Sequence, residues 1–297
     1  MQNGKKIILK QEIAIVFSVL LLAVCAVSAQ DWRKLEAEKR YDEALAALEN
    51  LALKEPATQA QFMCAAMEIA LNRLKNPELA RKYIEMTKDE AWRAFFMFYF
   101  YNATGKPEEA LKSLEEKDIT DFPAPVHAEA YATLGGIYQT RKETEKALEA
   151  YLKAVDSKGG TIPHWSLACK YAADIYMERN ETDKAVEMYK KCLKNDVFLA
   201  SRNQCIFDYA NFLLKQNKNT EALELIESEK MRFEKIGAGY WKALFFMEYA
   251  KVLNLSGMRV KAIDMYGVAE KSGATETMRK QIEKERGAIT RQMGLEL

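Results

Sequence analysis

The segment 128–161, which reads AEAYATLGGIYQTRKETEKALEAYLKAVDSKGGT, contains two amphipathic helical patterns joined by a short polar turn. The small residues Gly135 and Ala147 stand twelve positions apart, and Tyr138 and Tyr151 follow them by three and four positions. Small residues let two helix backbones approach, and a bulky residue one turn further on fills the groove beside them. The segment therefore predicts a hairpin of two antiparallel helices that cross near Gly135 and Ala147.

The same pattern recurs along the chain. A short polar turn followed by an alanine-containing helix start occurs seven times, at spacings of 30 to 40 residues, and a bulky residue follows each alanine by four positions. Periods of this size are typical of solenoids built from helix pairs. The anchoring alanines are Ala44, Ala80, Ala110, Ala147, Ala185, Ala222 and Ala262.

The segment 128–161 resembles a tetratricopeptide repeat, and its residues at the signature positions of that family are Leu134, Gly135, Tyr138, Ala147, Tyr151 and Ala154. Segment 162–199 is also similar, with Cys192 where the family has its second small residue, and segments 200–237 and 238–273 are similar more loosely. The earlier segments depart further, with Trp32, Glu68 and Phe98 where the family usually has Gly or Ala. The resemblance implies an all-α, right-handed α-solenoid of about seven antiparallel helix pairs, and the amphipathic stretch 275–293 predicts a C-terminal capping helix.

The resulting domain organisation has four parts. We expect a signal peptide at 1–29, three divergent helix pairs at 30–121, four tetratricopeptide units at 122–273 and the capping helix at 274–297. Phe122-Pro123-Ala124-Pro125 interrupts the pattern most sharply, since proline is tolerated between helices rather than within them. We therefore expect any hinge at this break.

The N-terminus has the order of a secretory signal peptide. Lys5, Lys6 and Lys10 precede an apolar run at 13–24, and small residues lead to Ala29, after which we expect cleavage. The apolar run is shorter than the ~20 residues of a membrane-spanning helix. We therefore expect an exported protein, periplasmic or secreted. The alternatives are an uncleaved membrane anchor and a lipid attached to Cys25.

Composition excludes several classes of protein. The 297 residues include 44 Lys+Arg and 43 Asp+Glu, 49% are hydrophobic, and only 13 Gly and 6 Pro occur. Such a chain is neither collagen-like nor low-complexity nor disordered. The net charge of +1 lacks the basic excess that nucleic-acid binding requires. We expect no nucleic-acid partner.

No set of residues in the sequence forms a convincing active site. The two histidines, His127 and His164, each follow a proline-containing turn at a helix start, and neither has the neighbouring ligands of a metal site or the nucleophile of a catalytic pair. We therefore expect no enzyme, no metal and no cofactor. Four cysteines follow residue 29, including Cys64, and the repeat register places Cys169, Cys192 and Cys205 near one another. Both a disulfide and buried free thiols are compatible with this register.

The resemblance also implies a partner-binding groove, because the first helix of each pair lines the concave face of such a solenoid. The Lys and Asn set that clamps a C-terminal carboxylate in some family members is not reproduced, since Asp174 stands beside Lys170 where an Asn is wanted. The groove positions carried over by register are Phe62, Ala65, Ile69, Asn72, Trp92, Phe95, Tyr99, Asn102, Gly136, Gln139, Lys170, Asp174, Phe207, Asn211, Met247 and Lys251.

The aromatic stretch 91–101 allows two interpretations. A helix that is apolar on all faces is usually buried on all sides. Alternatively, Trp92, Phe95 and Tyr99 form an aromatic stripe that faces the groove beside Arg93, as in a protein-binding hot spot. The sequence thus predicts a non-enzymatic scaffold or assembly adaptor that binds a protein or peptide. Its alternatives are a membrane-anchored envelope assembly subunit and, less favoured, a glycan-binding or enzymatic helical-repeat protein.

Overall fold

A computed structural model describes residues 30–157, 162–194 and 200–294, and within these ranges every regular element is helical. The segment 1–29, with its predicted cleavage site and Cys25, lies outside the described residues. The helices are α1 Gln30–Ala37, α2 Tyr41–Lys54, α3 Gln59–Glu68, α4 Pro77–Met86, α5 Glu90–Ala103, α6 Pro107–Glu116, α7 His127–Thr140, α8 Thr144–Asp156, α9 Ile162–Glu178, α10 Thr182–Leu193, α11 Ala200–Lys215, α12 Asn219–Lys235, α13 Tyr240–Leu255, α14 Arg259–Lys271 and α15 Glu276–Gln292. Short 3₁₀ helices cover Pro56–Thr58, Ile119–Asp121 and Ala124–Val126.

The helices α1 to α14 form seven pairs, and the turns within all seven pairs have a positive φ at the same position. The residue five positions before each anchoring alanine adopts a positive φ, between 54° and 81°. In the fourth pair, the N–H of Lys142 donates to the carbonyl of Gln139 and the N–H of Glu143 donates to that of Tyr138, which satisfies the last carbonyls of α7. The seven residues with this conformation are Lys39, Lys75, Gly105, Lys142, Asn180, Asn217 and Gly257.

The anchoring alanines lie where each pair closes. All seven have an exposed fraction of 0%, and the N–H of each donates to the carbonyl four residues earlier, in the first turn of the second helix. A methyl side chain at this point lets the two helix backbones approach closely. The predicted all-α fold of stacked helix pairs, with a final capping helix, is confirmed.

The second pair departs from regular geometry. A π-helical stretch, Ile69–Arg73, continues α3, and the N–H of Asn76 donates to the carbonyl of Ala70, six residues earlier. A π stretch places one extra residue in the helix. The predicted groove positions follow from counting along a regular helix. The assignments of Ile69 and Asn72, which lie in the π-helical stretch, are therefore shifted.

The chain divides into two compact units, residues 1–197 and 198–297. In the first unit, each helix packs on the next within its pair, and the first helices of successive pairs also touch, as α3 with α5, α5 with α7 and α7 with α9. Phe122 is buried, and its ring centroid lies 5.8 Å from that of Phe95 and 6.1 Å from that of Phe98. The break at 122–125 thus lies inside the first unit, and the hinge proposed there stays a prediction.

In the second unit, α11 packs on α12 and α13, and α13 packs on α14. The last helix, α15, contacts both α13 and α14 through a buried stripe of Met278, Ile282 and Ile289. Its opposite face is charged, as the sequence predicts for a cap. Among the described residues, the structure has no helix of the length and apolarity that crossing a membrane requires.

Candidate partner-binding surface

The predicted groove residues all lie on the first helices of their pairs, but several are inaccessible. Phe62, Phe95 and Tyr99 in the first unit are at most 2% exposed, and Phe207 and Met247 in the second unit are also buried. The prediction that these five side chains offer contact surface is therefore wrong for the described structure. Ala65 and Ile69 are likewise buried.

Helix α5 is mainly a core helix. Phe95, Phe96 and Phe98 have an exposed fraction of 0%, and the ring of Phe95 packs against those of Phe96 and Phe122 at centroid distances of 5.8 Å each. Of the stripe Trp92, Phe95 and Tyr99, only Trp92 is partly exposed. The buried-helix interpretation of 91–101 therefore describes α5 better than the stripe does.

A polar part of the predicted surface is accessible in the first unit. Lys170 Nζ donates to Asp174 Oδ2 at 2.6 Å, and the same ammonium lies 4.8 Å from the centroid of the Tyr171 ring. Gln139 Oε1 accepts a hydrogen bond from the hydroxyl of Tyr151 at 2.9 Å. Gly136 and Asn102 are half-buried. The ammonium group of Lys170 is already paired with Asp174. It is therefore not an isolated cation that could bind the carboxylate of a partner.

The second unit brings two predicted residues into direct contact. Lys251 Nζ on α13 donates to Asn211 Oδ1 on α11, forty residues earlier. Asn211 Nδ2 donates to the carbonyl of Phe207 at 2.9 Å and to Glu248 Oε2 at 3.4 Å. Lys251 Nζ also lies 3.7 Å from Glu248 Oε2. Asn211, Glu248 and Lys251 form one polar cluster across successive first helices, here called the Asn211 cluster.

The carboxyl group of Glu248 has an unusual environment. Burial raises its pKa, while the charge of Lys251 and the hydrogen bond from Asn211 oppose the rise and the charge of Asp208 adds to it. Sequence reasoning missed Glu248 and its neighbour Asp208, which accepts from Gln204 Nε2 at 3.0 Å. Gln204 and Asp208 are four positions apart, and Glu248 and Lys251 are three positions apart. Residues at these spacings lie on one face of a helix, so the sequence does contain this signal.

The four cysteines among the described residues are buried. Cys64, Cys169, Cys192 and Cys205 carry no disulfide, so the disulfide interpretation is not realised. Cys192 Sγ lies 3.2 Å from Ser166 Oγ, and burial raises the pKa of the Cys169 thiol. No group of three or more His, Cys, Asp or Glu in the described ranges is arranged to hold a metal ion.

The two histidines have different surroundings. His127 Nε2 lies 2.8 Å from the carbonyl of Phe122 and so anchors the start of α7. His164 is buried, with Nδ1 3.7 Å from Glu129 Oε2, and burial lowers its pKa to about 3. Both carboxylate oxygens of Glu129 lack a hydrogen-bond partner, and burial raises the pKa of this carboxyl well above its ordinary value. Sequence reasoning placed both histidines at helix starts but did not foresee the approach of His164 to Glu129.

The family comparison matches the regular part of the chain. The tetratricopeptide repeat family matches residues 128–160 and 172–196. No curated protein matches the chain. Among solved structures, PilF of Pseudomonas aeruginosa is 16% identical, with a TM-score of 0.51 over 82% of this chain and 99% of that one. A tetratricopeptide repeat protein from Parabacteroides merdae is 16% identical, with a TM-score of 0.46 over 87% and 98% of the two chains.

The likeness to PilF is one of fold. The family match falls on the fourth and fifth helix pairs, which include the segment with the clearest signature residues. The turn and the buried alanine of these pairs recur in the other five. The chain therefore contains tetratricopeptide repeats at 128–160 and 172–196, within a series of seven similar helix pairs.

Proposed function

We propose that this protein is a non-enzymatic scaffold that binds a protein or peptide along the first helices of its repeats. Tetratricopeptide repeats are in general protein-interaction scaffolds, and extended surfaces of stacked repeats are their usual binding sites. The Asn211 cluster carries the proposal, because it joins the first helices of two successive repeats into one polar surface.

The chemistry of this surface favours a polypeptide with mixed polar character. Asn211 offers both a donor and an acceptor, Lys251 is a half-exposed cation and Glu248 is a carboxyl beside it. Such groups can exchange their mutual hydrogen bonds for bonds to a peptide backbone or to polar side chains. The Lys170–Asp174 pair presents the same combination in the first unit.

We further propose that the protein is exported to the periplasm or envelope of a bacterium, on the basis of the signal-like order of residues 1–29. The second candidate is an envelope assembly subunit that keeps its N-terminal segment or carries a lipid on Cys25. Mass spectrometry of the native N-terminus separates the two, since a new start at Gln30 excludes the anchored form.

The test of partner binding compares two matched variants in affinity capture from envelope extract, with mass spectrometry of the captured proteins. Asn211→Ala with Lys251→Ala should reduce retention of a specific partner at least tenfold, about 1.4 kcal/mol. The control, Lys280→Ala with Lys284→Ala, removes two exposed lysines from the capping helix and should leave retention unchanged. Equal retention by both variants would overturn the proposed surface.

A further inference from the structure

A pocket of about 220 Å³ opens in the first unit, and Trp92 is the one residue assigned to the groove that also lines it. It forms where the ends of α2 and α4 meet the starts of α3 and α5. Its apolar wall includes Leu53, Ala57 and Met86 as well as Met63 and Trp92. The pocket therefore belongs to the junctions between the first three repeats.

The rim of this pocket leaves large apolar side chains in water. Leu53 is 80% exposed and Met86 is 39% exposed, and both line the same opening. A single exposed leucine needs no explanation, whereas two large apolar side chains beside one cavity make that cavity a candidate binding site. Methionine adapts its shape to different apolar partners, and Met63 and Met86 supply two such side chains.

Hydrogen bonds join residues of the pocket lining that belong to different segments. Gln59 Nε2 donates to the carbonyl of Met86 at 2.9 Å, and Gln59 Oε1 accepts from the N–H of Lys88 at 3.2 Å. One side chain thus ties the start of α3 to the end of α4 and the loop after it. A cavity fixed in this way admits a ligand without a prior rearrangement.

The charges around the opening favour an uncharged occupant. Glu49 accepts a hydrogen bond from the hydroxyl of Tyr83 at 2.9 Å and lies 3.7 Å from Lys82 Nζ. Asp89 caps α5 and accepts from the N–H groups of Ala91 and Trp92. Both acidic groups of the lining thus have partners within the chain, and the remaining charged residue of the lining is Lys88. A charged side chain would gain little here.

We propose that this pocket receives one bulky apolar side chain, of the size of leucine or phenylalanine, from an exposed segment of a partner protein. The inference rests on the proposed scaffold function and names a second contact point of the same partner. Within the first unit, the Lys170–Asp174 pair offers polar contacts to a partner, whereas the pocket holds an apolar anchor. Such an anchor is the usual source of affinity in protein interfaces.

The direct test uses the full chain with ¹³C-labelled methionine methyl groups and three probes: N-acetyl-leucinamide, N-acetyl-phenylalaninamide and N-acetyl-lysinamide. The two apolar probes should shift the signals of Met63 and Met86, and the lysine probe should not. Ala57→Phe, which fills the opening from an exposed position, should abolish the shifts. The matched control, Ala124→Phe, changes an exposed alanine of another 3₁₀ helix and should preserve them. Absence of shifts in the native chain, or equal shifts with all three probes, would overturn the proposal.

A second experiment separates this inference from the proposed function. If Ala57→Phe retains the captured partner as well as Ala124→Phe does, the scaffold function stands and the pocket assignment is wrong. Loss of partner with Ala57→Phe alone supports the assignment. Sedimentation equilibrium of the native chain and of Ala57→Phe completes the test. If the native chain is a dimer and Ala57→Phe is a monomer, the occupant is a second copy of this chain, which would overturn the proposed partner.

Discussion

The backbone of Gly135 on α7 lies directly against the ring of Tyr151 on α8. A Cβ atom at position 135 would stand 2.6 Å from both Cδ1 and Cε1 of that ring, and Tyr151 is fully buried. The tyrosine hydroxyl is held in turn by Gln139 at 2.9 Å. This contact sets how closely the two helices of the fourth pair can approach.

Replacing Gly135 by alanine should therefore destabilise the protein. The ring cannot move freely in a packed core, so we expect a loss of about 1–3 kcal/mol in the free energy of unfolding. The neighbouring Gly136→Ala is the control, because its Cβ would lie 3.9 Å from the Tyr151 hydroxyl and alanine favours the helix. Urea denaturation compares the two variants. A loss as large in Gly136→Ala would contradict the steric explanation.

The shared turn conformation leads to a stabilising prediction. Lys142 adopts a φ of 63°, a conformation that costs a side-chain-bearing residue energy and glycine little. Lys142→Gly should therefore raise the free energy of unfolding by about 0.5–1 kcal/mol. Lys146→Gly, at an exposed position inside α8, should lower it by about 1 kcal/mol. Thermal unfolding of both variants shows whether each substitution stabilises or destabilises the protein. Destabilisation by Lys142→Gly would contradict the prediction.

The buried carboxyl of Glu129 should make stability depend on pH. Its pKa is raised in the folded state, so the folded chain holds the proton more tightly than the unfolded chain, and stability falls as pH rises above about 4.5. The titratable groups that are electrostatically coupled to Glu129 are Cys64 and Glu68 on α3 and Tyr99 on α5, while His164 on α9 lies beside it.

Glu129→Gln keeps the shape of the protonated acid and cannot ionise. We expect it to raise the free energy of unfolding at pH 8 by roughly 1–3 kcal/mol and to leave it unchanged at pH 4. The control is Glu149→Gln on the exposed face of α8, where the hydrogen bond from Lys153 lowers the carboxyl pKa and the substitution should bring no gain. Urea denaturation at pH 4 and pH 8 measures the free energy of unfolding of both variants. If Glu129→Gln also raises it at pH 4, ionisation of Glu129 is not the cause.

The four cysteines of residues 30–294 should behave as protected thiols. Burial raises the pKa values of Cys64 and Cys169, and thiolate is the reactive form. Native protein should therefore react with a thiol reagent at least a hundredfold more slowly than unfolded protein. Unfolded protein should yield four thiols if the chain starts at Gln30, and five if Cys25 is retained without a lipid. Fewer than four thiols without a reductant would indicate a disulfide and contradict the free-thiol assignment.

The repeat architecture follows from local sequence. The alanine spacing and the polar turns identify seven helix pairs because each pair uses only neighbouring residues to close its crossing. Ala147 and Tyr151 illustrate this, since the helix period alone places them one turn apart on one face. The amphipathic stripe of Met278, Ile282 and Ile289 likewise predicts the capping helix.

The accessible surface required the tertiary structure. The helix period shows that Trp92, Phe95 and Tyr99 share a face, but not whether another segment covers that face. The loop residue Phe122 packs on Phe95, and a contact across 27 positions leaves no periodic mark in the sequence. The π-helical stretch Ile69–Arg73 displaced the register of the second pair, and the signature positions carried over from the family do not show where an extra residue enters a helix.

By itself the sequence determined the class of fold, the number of repeats and the turn that joins each pair, because these depend on contacts within about forty residues of chain. Only the tertiary structure decided which groove positions are accessible, which thiols are buried, and that Asn211 meets Lys251 while His164 approaches Glu129. These features arise where successive repeats pack on each other, and the packing depends on the combined shapes of side chains from several helices.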